Sequence, residues 1–462
     1  MSMSNNRNIS ELPVARELRS VMQGRVVPRG DGDYAQTRQI WNGAVQHEPA
    51  LFAVCETSAD VQAAVRSARE HRLALSVRGG GHDWAGRSLR HGGLVIDLSQ
   101  MRQVDVDAVA SIATIHGGAT AVDVISAAEP HGLVAATGNC GTVGMAGLTL
   151  GGGYGPLTSR YGLASDNLLG AEVVLADGRL VHCDGHENPD LFWALRGGGG
   201  QFGVVTAMRV RLHPIRQVLA GMMLFSWSEA ESVLRGYAEV VSDAPDELSM
   251  IAGMLSAPDG SPVVLLAPMW SGEASQGEKL IARLRQLGTP VMDQVGLMPY
   301  RCWLNMFRTV APVGRHYAAQ TRSLARFTPE VILTLVAGGQ QRSSPLAAII
   351  IHDFVGAATR ISLAETAFGL RKEHFMVEII AAWESSGEDD GHIHREWART
   401  ASAYLAPHAL PGGYPNMLGP EEHERAAQAY GANLGRLQRV KRLFDPENVF
   451  TSAISVQVQR AA

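Results

Sequence analysis

The chain is poor in charge, in cysteine and in aromatic residues. Only 18% of its 462 residues are charged, and 40 Lys and Arg against 45 Asp and Glu leave a net charge of −5. A general nucleic-acid binder needs a basic face, and this balance argues against one. No apolar run approaches the roughly 18 residues of a membrane-spanning helix. The opening stretch, MSMSNNRNISELPVARELRS, has neither an apolar h-region nor a twin arginine, so no secretory leader is expected. The four cysteines, Cys55, Cys140, Cys183 and Cys302, form no CxxC pair. A disulfide framework or a structural zinc site is not expected, and a cytoplasmic protein with reduced thiols is the simplest reading. Aromatic residues, at 6%, give no sign of a long carbohydrate-binding groove. Hydrophobic residues, at 46%, exclude disorder, which needs low hydrophobicity and high charge.

What is abundant is glycine, at 50 residues. Length alone allows two or three domains. The first part alternates short strands and helices. Thr57 or Ser58 can cap a helix whose buried stripe is Val61, Ala64, Val65 and Ala68. Leu73 to Val77, Leu94 to Leu98, Ser111 to Ile115 and Val204 to Leu212 read as strands, and Asn188-Pro189 starts a helix that Gly197 stops. The text changes near residue 215, with more proline and isolated strands such as Ala347 to Phe354 and Phe375 to Trp383, and a helix over Gly277 to Leu287. Near the end, Leu434, Leu437, Val440 and Phe444 form a helical stripe closed by Asp445-Pro446. The expected division is 1–215, 216–410 and 411–462.

Glycine clusters at 79–81, 138–155, 197–200 and 412–413. Single clusters make turns, but three within one stretch of strands and helices point to a cradle for a large ligand with a pyrophosphate. Gly81 to Ser88 nearly spells a P-loop, but Arg87 stands where lysine must reach the phosphates. Gly151-Gly152-Gly153-Tyr154-Gly155 lacks the G-x-G-x-x-G spacing and meets Pro156 where a helix should begin. Neither a nucleotide hydrolase nor a Rossmann-type enzyme fits.

Longer motifs carry a resemblance. Arg78-Gly79-Gly80-Gly81-His82 after a strand, with Leu94-Val95-Ile96-Asp97-Leu98 following, resembles the pyrophosphate loop of vanillyl-alcohol-oxidase-type flavoproteins. Gly138-Asn139-Cys140-Gly141-Thr142-Val143-Gly144, then Gly147 and Gly151 to Gly155, is similar to the second signature of their berberine-bridge-enzyme-like branch. Tyr161 to Asn167, Asp190 to Gly199, Tyr414-Pro415-Asn416 and Phe444 to Phe450 continue it. The resemblance implies an α+β protein of two domains: a PCMH-type FAD-binding domain completed by the C-terminal segment, and a substrate domain built on a large antiparallel sheet flanked by helices. It implies FAD joined covalently through His82 to the 8α carbon and through Cys140 to C6, which fixes the ring and makes it a stronger oxidant. The duller readings are a loop histidine and a small buried cysteine. The cofactor set it implies is Arg78, Gly79, Gly80, Gly81, His82, Asp83, Gly138, Cys140, Val143, Gly144, Gly147, Gly152, Gly153, Tyr154, Gly155, Asn167, Val205 and Asn448. Val143, three residues after the cysteine, is associated in this family with oxygen access.

The same resemblance places Tyr414 and Asn416 over the flavin, with Tyr414 as a phenol of lowered pKa that takes a hydroxyl proton as hydride moves to flavin N5. Met417 stands where many members carry a second tyrosine. His352 and Asp353, and Glu378 and Trp383 on the next strand, are either pocket groups or ordinary sheet residues; His352 joins the catalytic set. No metal is expected: His182 to His186 reads as a hairpin, and His392 and His394 adjoin a polar loop, Glu388 to Gly391. The expected activity is an FAD-dependent oxidase acting on a C–H next to O or N of a small molecule, with O2 reduced to H2O2. A dehydrogenase, an oxidative cyclase of a secondary metabolite, or a flavin-fold binding protein without turnover are the alternatives. Substrate and O2 are the expected partners, with no nucleic acid and no membrane; the oligomeric state is not legible.

Overall fold

The computed structural model describes residues 12–308, 310–385, 391–451 and 456. Residues 1–11 and the acidic stretch Glu388 to Asp390 therefore lie outside the described residues. Three sheets organise the rest. In the first, strand Arg25–Pro28 pairs antiparallel with Leu51–Val54, which runs parallel to Leu94–Asp97, itself parallel to Leu75–Arg78. The crossover between parallel strands is the helix Ser58–Glu70. Thr57 accepts from the Asp60 N–H and Asp60 accepts from the Thr57 N–H, a reciprocal cap that starts it. Val61, Ala64, Val65 and Ala68 are fully buried against the sheet.

The second sheet is antiparallel, in the order Val104–Asp107, Ile112–His116, Val204–Pro214, Leu168–Val174 and Leu180–Cys183, with Leu133–Ala135 on the far end of Val204–Pro214. The chain then changes sheet between Pro214 and Val218. The third sheet has nine strands and is antiparallel, with Leu248–Ser256, Ala348–Phe354, His374–Trp383 and His316–Leu324 as neighbours in that order. Helices Ala230–Ser242, Ala274–Arg285, Pro329–Gln340 and Gly391–Leu405 bury one of its faces in a single apolar cluster. The opposite face is turned towards the first part of the chain. The terminal helix Leu434–Phe444 packs back on helix Pro189–Leu195.

Two local expectations change. Asn188 precedes its helix in a left-handed conformation (φ 47°), and its side chain donates to the His182 carbonyl instead of capping the helix. Gly391, expected to close a polar loop, instead begins helix Gly391–Leu405, which carries His392 and His394. His394 is buried, bonded to Ser343 Oγ and stacked on Trp383. His182 and Cys183 sit on the second strand of a hairpin turning at Gly178. Among the described residues no three His, Cys, Asp or Glu side chains converge as a metal site, and no helix is long and apolar enough to cross a membrane.

Candidate active site

A cavity of about 490 Å³ lies between the glycine-rich loops and the open face of the nine-stranded sheet. One wall is Gly79 to Trp84, Gly138 to Cys140, Val143, Gly144 and Gly147. The other is Tyr317, Ala319, His352, Met376, Glu378 and Ile380, and the rim includes Tyr414 to Met417, Phe450 and Thr451. The N–H groups of Gly80, Gly81, His82 and Asp83 find no acceptor among the described residues. Four successive free amides make an anion-binding concavity. Arg87 is the one cationic side chain among the described lining residues, and it is paired with Asp83. An anion there is held by backbone dipoles. Ser76 and Ser88 also line the cavity, and their hydroxyls are buried without a protein partner.

His82 and Cys140 come from separate loops and meet at one hydroxyl. His82 Nε2 lies 2.7 Å from Thr142 Oγ1, and Cys140 Sγ lies 3.2 Å from the same oxygen. Burial pushes the His82 imidazole down to about 4, so it is neutral and nucleophilic at pH 7. Its ring stacks on Trp41, which stacks on Tyr317. Trp41 carried no signal in the sequence, because nothing local to it marks a long-range stack.

Tyr414 departs from expectation. Its hydroxyl oxygen accepts from the Gly153 N–H at 3.1 Å and from Asn416 Nδ2 at 3.0 Å. Burial pushes its pKa up to about 12, with no cation against it to oppose the shift. The two hydrogen bonds into its oxygen favour the phenolate, but desolvation outweighs them, so at neutral pH the phenol keeps its proton and can donate it in a hydrogen bond. Asn416 also donates to the Leu148 carbonyl at 3.1 Å, tying the C-terminal segment to the glycine loop.

On the sheet wall, period-2 alternation sorts the four candidates. His352 and Glu378 face the cavity, whereas Asp353 and Trp383 face the helices. Asp353 accepts from the Met250 N–H, and Trp383 belongs to the helix-covered core. His352 Nε2 lies 3.5 Å from Glu378 Oε1, and His352 Nδ1 lies 3.4 Å from Asn139 Nδ2. An amide N–H at Nδ1 leaves the imidazole proton on Nε2, the nitrogen nearer the carboxylate. The chain Asn139, His352, Glu378 thus ends on Glu378. Asn139 was quoted in the sequence motif only as a neighbour of Cys140; its place in this chain needs the sheet to be brought up against the loop.

Residues 49–184 match the FAD binding domain family, and residues 413–457 match the berberine and berberine-like family. The (R)-6-hydroxynicotine oxidase of Paenarthrobacter nicotinovorans is 32% identical over 446 residues, covering 93% of this chain and 95% of that protein. The crystal structure of 6-hydroxy-D-nicotine oxidase from Arthrobacter nicotinovorans superposes with a TM-score of 0.86 at 31% identity, over 94% of this chain and 98% of that one. The chain belongs to the berberine-bridge-enzyme-like family of FAD-linked oxidoreductases. Its fold is shared with glucooligosaccharide oxidase from Acremonium strictum, whose FAD is described as 6-S-cysteinyl, 8α-N1-histidyl (TM-score 0.85, 24% identity, 96% of this chain and 99% of that one).

The residues present fit the FAD of this family. The free amides offer donors to a pyrophosphate. A Cβ at Gly147 would meet no protein atom within 4 Å, so this glycine opens onto the cavity. Gly80 and Gly144 have a different role: a Cβ on either would lie 2.4 Å from the other's backbone nitrogen. They let the two loops pack backbone on backbone. His82, Asp83, Gly138, Cys140, Val143, Tyr154 and Val205 line the cavity with them.

Six members of the expected cofactor set stand elsewhere. Arg78 is buried in a bidentate pair with Asp97 and donates to the Thr37 carbonyl. Gly152, Gly153 and Gly155 are packed against Phe368, Ala164 and the Thr137 carbonyl. Asn167 donates to the Tyr161 and Leu163 carbonyls and its Oδ1 contacts His213. Asn448 takes a turn position, φ 55°. Each shapes the walls from behind. Lys441 does the same for the rim: buried, it pairs with Asp445 and donates to the carbonyls of Gln201 and Phe450.

Proposed function

We propose that this flavoenzyme is an oxidase that removes a hydride from a C–H next to oxygen or nitrogen of a small, largely apolar alcohol or amine. Bound FAD supplies the two-electron acceptor and hands the electrons to O2, which leaves as H2O2. Glu378 carries the reading: it is the carboxylate on the sheet wall that faces the glycine loops, 3.5 Å from His352, which Asn139 contacts in turn. It takes the substrate's O–H proton, or receives an ammonium proton, while Tyr414 donates a hydrogen bond from the rim. His352 is the positioning residue that fixes the carboxylate. Met376, Ile380, Ala319 and Tyr317 surround them with apolar surface, which excludes water and favours a substrate with an apolar body. Val143 on the opposite wall supports the use of O2 over another acceptor.

His82 and Cys140 form the two covalent links. Support comes from their meeting on the cavity wall and from the doubly linked FAD described for the fungal relative. The test combines two measurements. Acid precipitation should leave the yellow colour in the pellet, with one FAD added to the intact mass. Anaerobic titration with a panel of alcohols and amines should bleach the flavin, and air should restore it with one H2O2 per turnover. Reduced flavin that persists in air would overturn the oxidase assignment in favour of a dehydrogenase.

A further inference from the structure

Thr142 is a hydroxyl shared by two nucleophiles, and among the described residues it alone bonds to both. His82 reaches it with Nε2 and leaves Nδ1 without a partner among the described residues. Cys140 reaches it with Sγ, two positions away in the same loop. A hydroxyl has one hydrogen and two lone pairs. If Nδ1 is the atom that attacks, its lone pair must be free, and the imidazole proton must then sit on Nε2. That N–H donates to Thr142 Oγ1. Cys140 Sγ shares the same oxygen, either accepting the Thr142 hydrogen or donating its S–H to the second lone pair. One side chain therefore sets the tautomer of the histidine and the rotamer of the cysteine together.

We infer that Thr142 is the positioning residue for double attachment of FAD: it holds His82 with Nδ1 exposed and aims Cys140 at the same ring. The inference rests on the covalent links of the proposed function. Each link exchanges a flavin C–H for a C–N or C–S bond. The carbon-bound hydrogen and the N–H or S–H hydrogen leave as two protons, and the two electrons reduce O2 to H2O2. Thr142 is not consumed and makes no bond to the flavin; it shortens the search of two side chains for their attacking geometry. The neighbouring loops pack backbone on backbone here, at Gly80 and Gly144, which places the hydroxyl between the two side chains.

Thr142→Val keeps the shape and removes the hydroxyl; Thr142→Ser keeps the hydroxyl. Full-length apoprotein from a riboflavin-starved host is mixed with FAD in air, and links are counted over time by intact mass and by mapping flavinyl peptides at His82 and Cys140. The serine variant is expected to follow the wild type. The valine variant is expected to bind FAD but to form links at least tenfold more slowly, with FAD released into the acid supernatant. Thr142→Ala, which adds no bulk, carries the same test should the valine variant not fold. Wild-type protein linking both residues while the valine and alanine variants keep pace overturns the role of Thr142 alone. Wild-type protein with no flavin in the acid pellet overturns the covalent links themselves, and this inference with them.

Discussion

His352 reaches Glu378 across two central strands, Nε2 to Oε1 at 3.5 Å, although the residue opposite His352 in the register is Met376. The contact is a diagonal one, two residues along the neighbouring strand, and only long side chains on a shared face span it. With Asn139 behind the imidazole, the geometry gives the proton-accepting end to Glu378.

Glu378→Gln should lower kcat by about 10²–10⁴-fold, the usual contribution of a general base, while flavin content and fold are retained. His352→Ala should cost less, roughly 10–100-fold, the size of effect known for groups that orient a reacting ligand. Steady-state kinetics with flavin-to-protein absorbance ratios measure both losses. A glutamine variant with wild-type kcat would remove Glu378 from the chemistry.

Tyr414 is expected to behave as a neutral donor throughout the working range, because burial places its pKa at about 12. Tyr414→Phe should lower turnover without moving any pH limb between 6 and 9. It should also destabilise the fold by roughly 1–3 kcal/mol, since the Gly153 N–H loses its acceptor. Denaturant titration and a pH–rate profile check both parts, and an altered limb near neutrality would restore the tyrosine as a base.

Two glycine substitutions should fail in different ways. Gly144→Ala places a Cβ 2.4 Å from the Gly80 nitrogen, so the loops must part and the protein itself should lose stability. Gly147→Ala meets no protein atom and should fold normally, yet intrude on the cofactor's space and lower FAD content. Thermal melts together with flavin-to-protein absorbance ratios read the difference. Equal melting loss in both variants would contradict the assignment.

Asp353 supplies a pH dependence distant from the chemistry. Burial raises its carboxyl from 3.8 to about 6, against the backbone N–H groups of Met250 and of Asp353 itself, which favour the charge. The folded protein thus holds this proton to higher pH than the unfolded chain. The associated stability is present in full below about pH 4 and is lost as pH rises through about 6. Asp353→Asn keeps an acceptor for Met250 and has no proton to lose. Relative to wild type it should gain stability with rising pH, to a limit of roughly 3 kcal/mol above pH 7. Urea titrations at pH 5 and pH 8 measure it; a pH-independent difference would show that Asp353 does not titrate in this range.

Much of the molecule was written locally. The Thr57–Asp60 cap and its apolar stripe, the strand before Arg78-Gly79-Gly80-Gly81-His82, and the long glycine motifs depend on neighbours within a few residues, so sequence by itself determined the helix, the cofactor loops and the membership in this flavoprotein family. What only the tertiary structure decided are relations between residues far apart. The sequence treats Gly80, Gly144 and Gly147 alike, and packing alone separates two that touch backbone from one that faces open space. Arg78 and Asn167 read as cofactor contacts because they lie inside cofactor motifs, but burial turned them to Asp97 and to the Tyr161 and Leu163 carbonyls. Tyr414 reads as an activated phenol, but desolvation outweighs the two hydrogen bonds into its oxygen and raises its pKa instead. His352, Asp353, Glu378 and Trp383 are equivalent candidates along two apolar strands. The register of those strands, set by which face the helices cover, chose the pair that meets at the cavity.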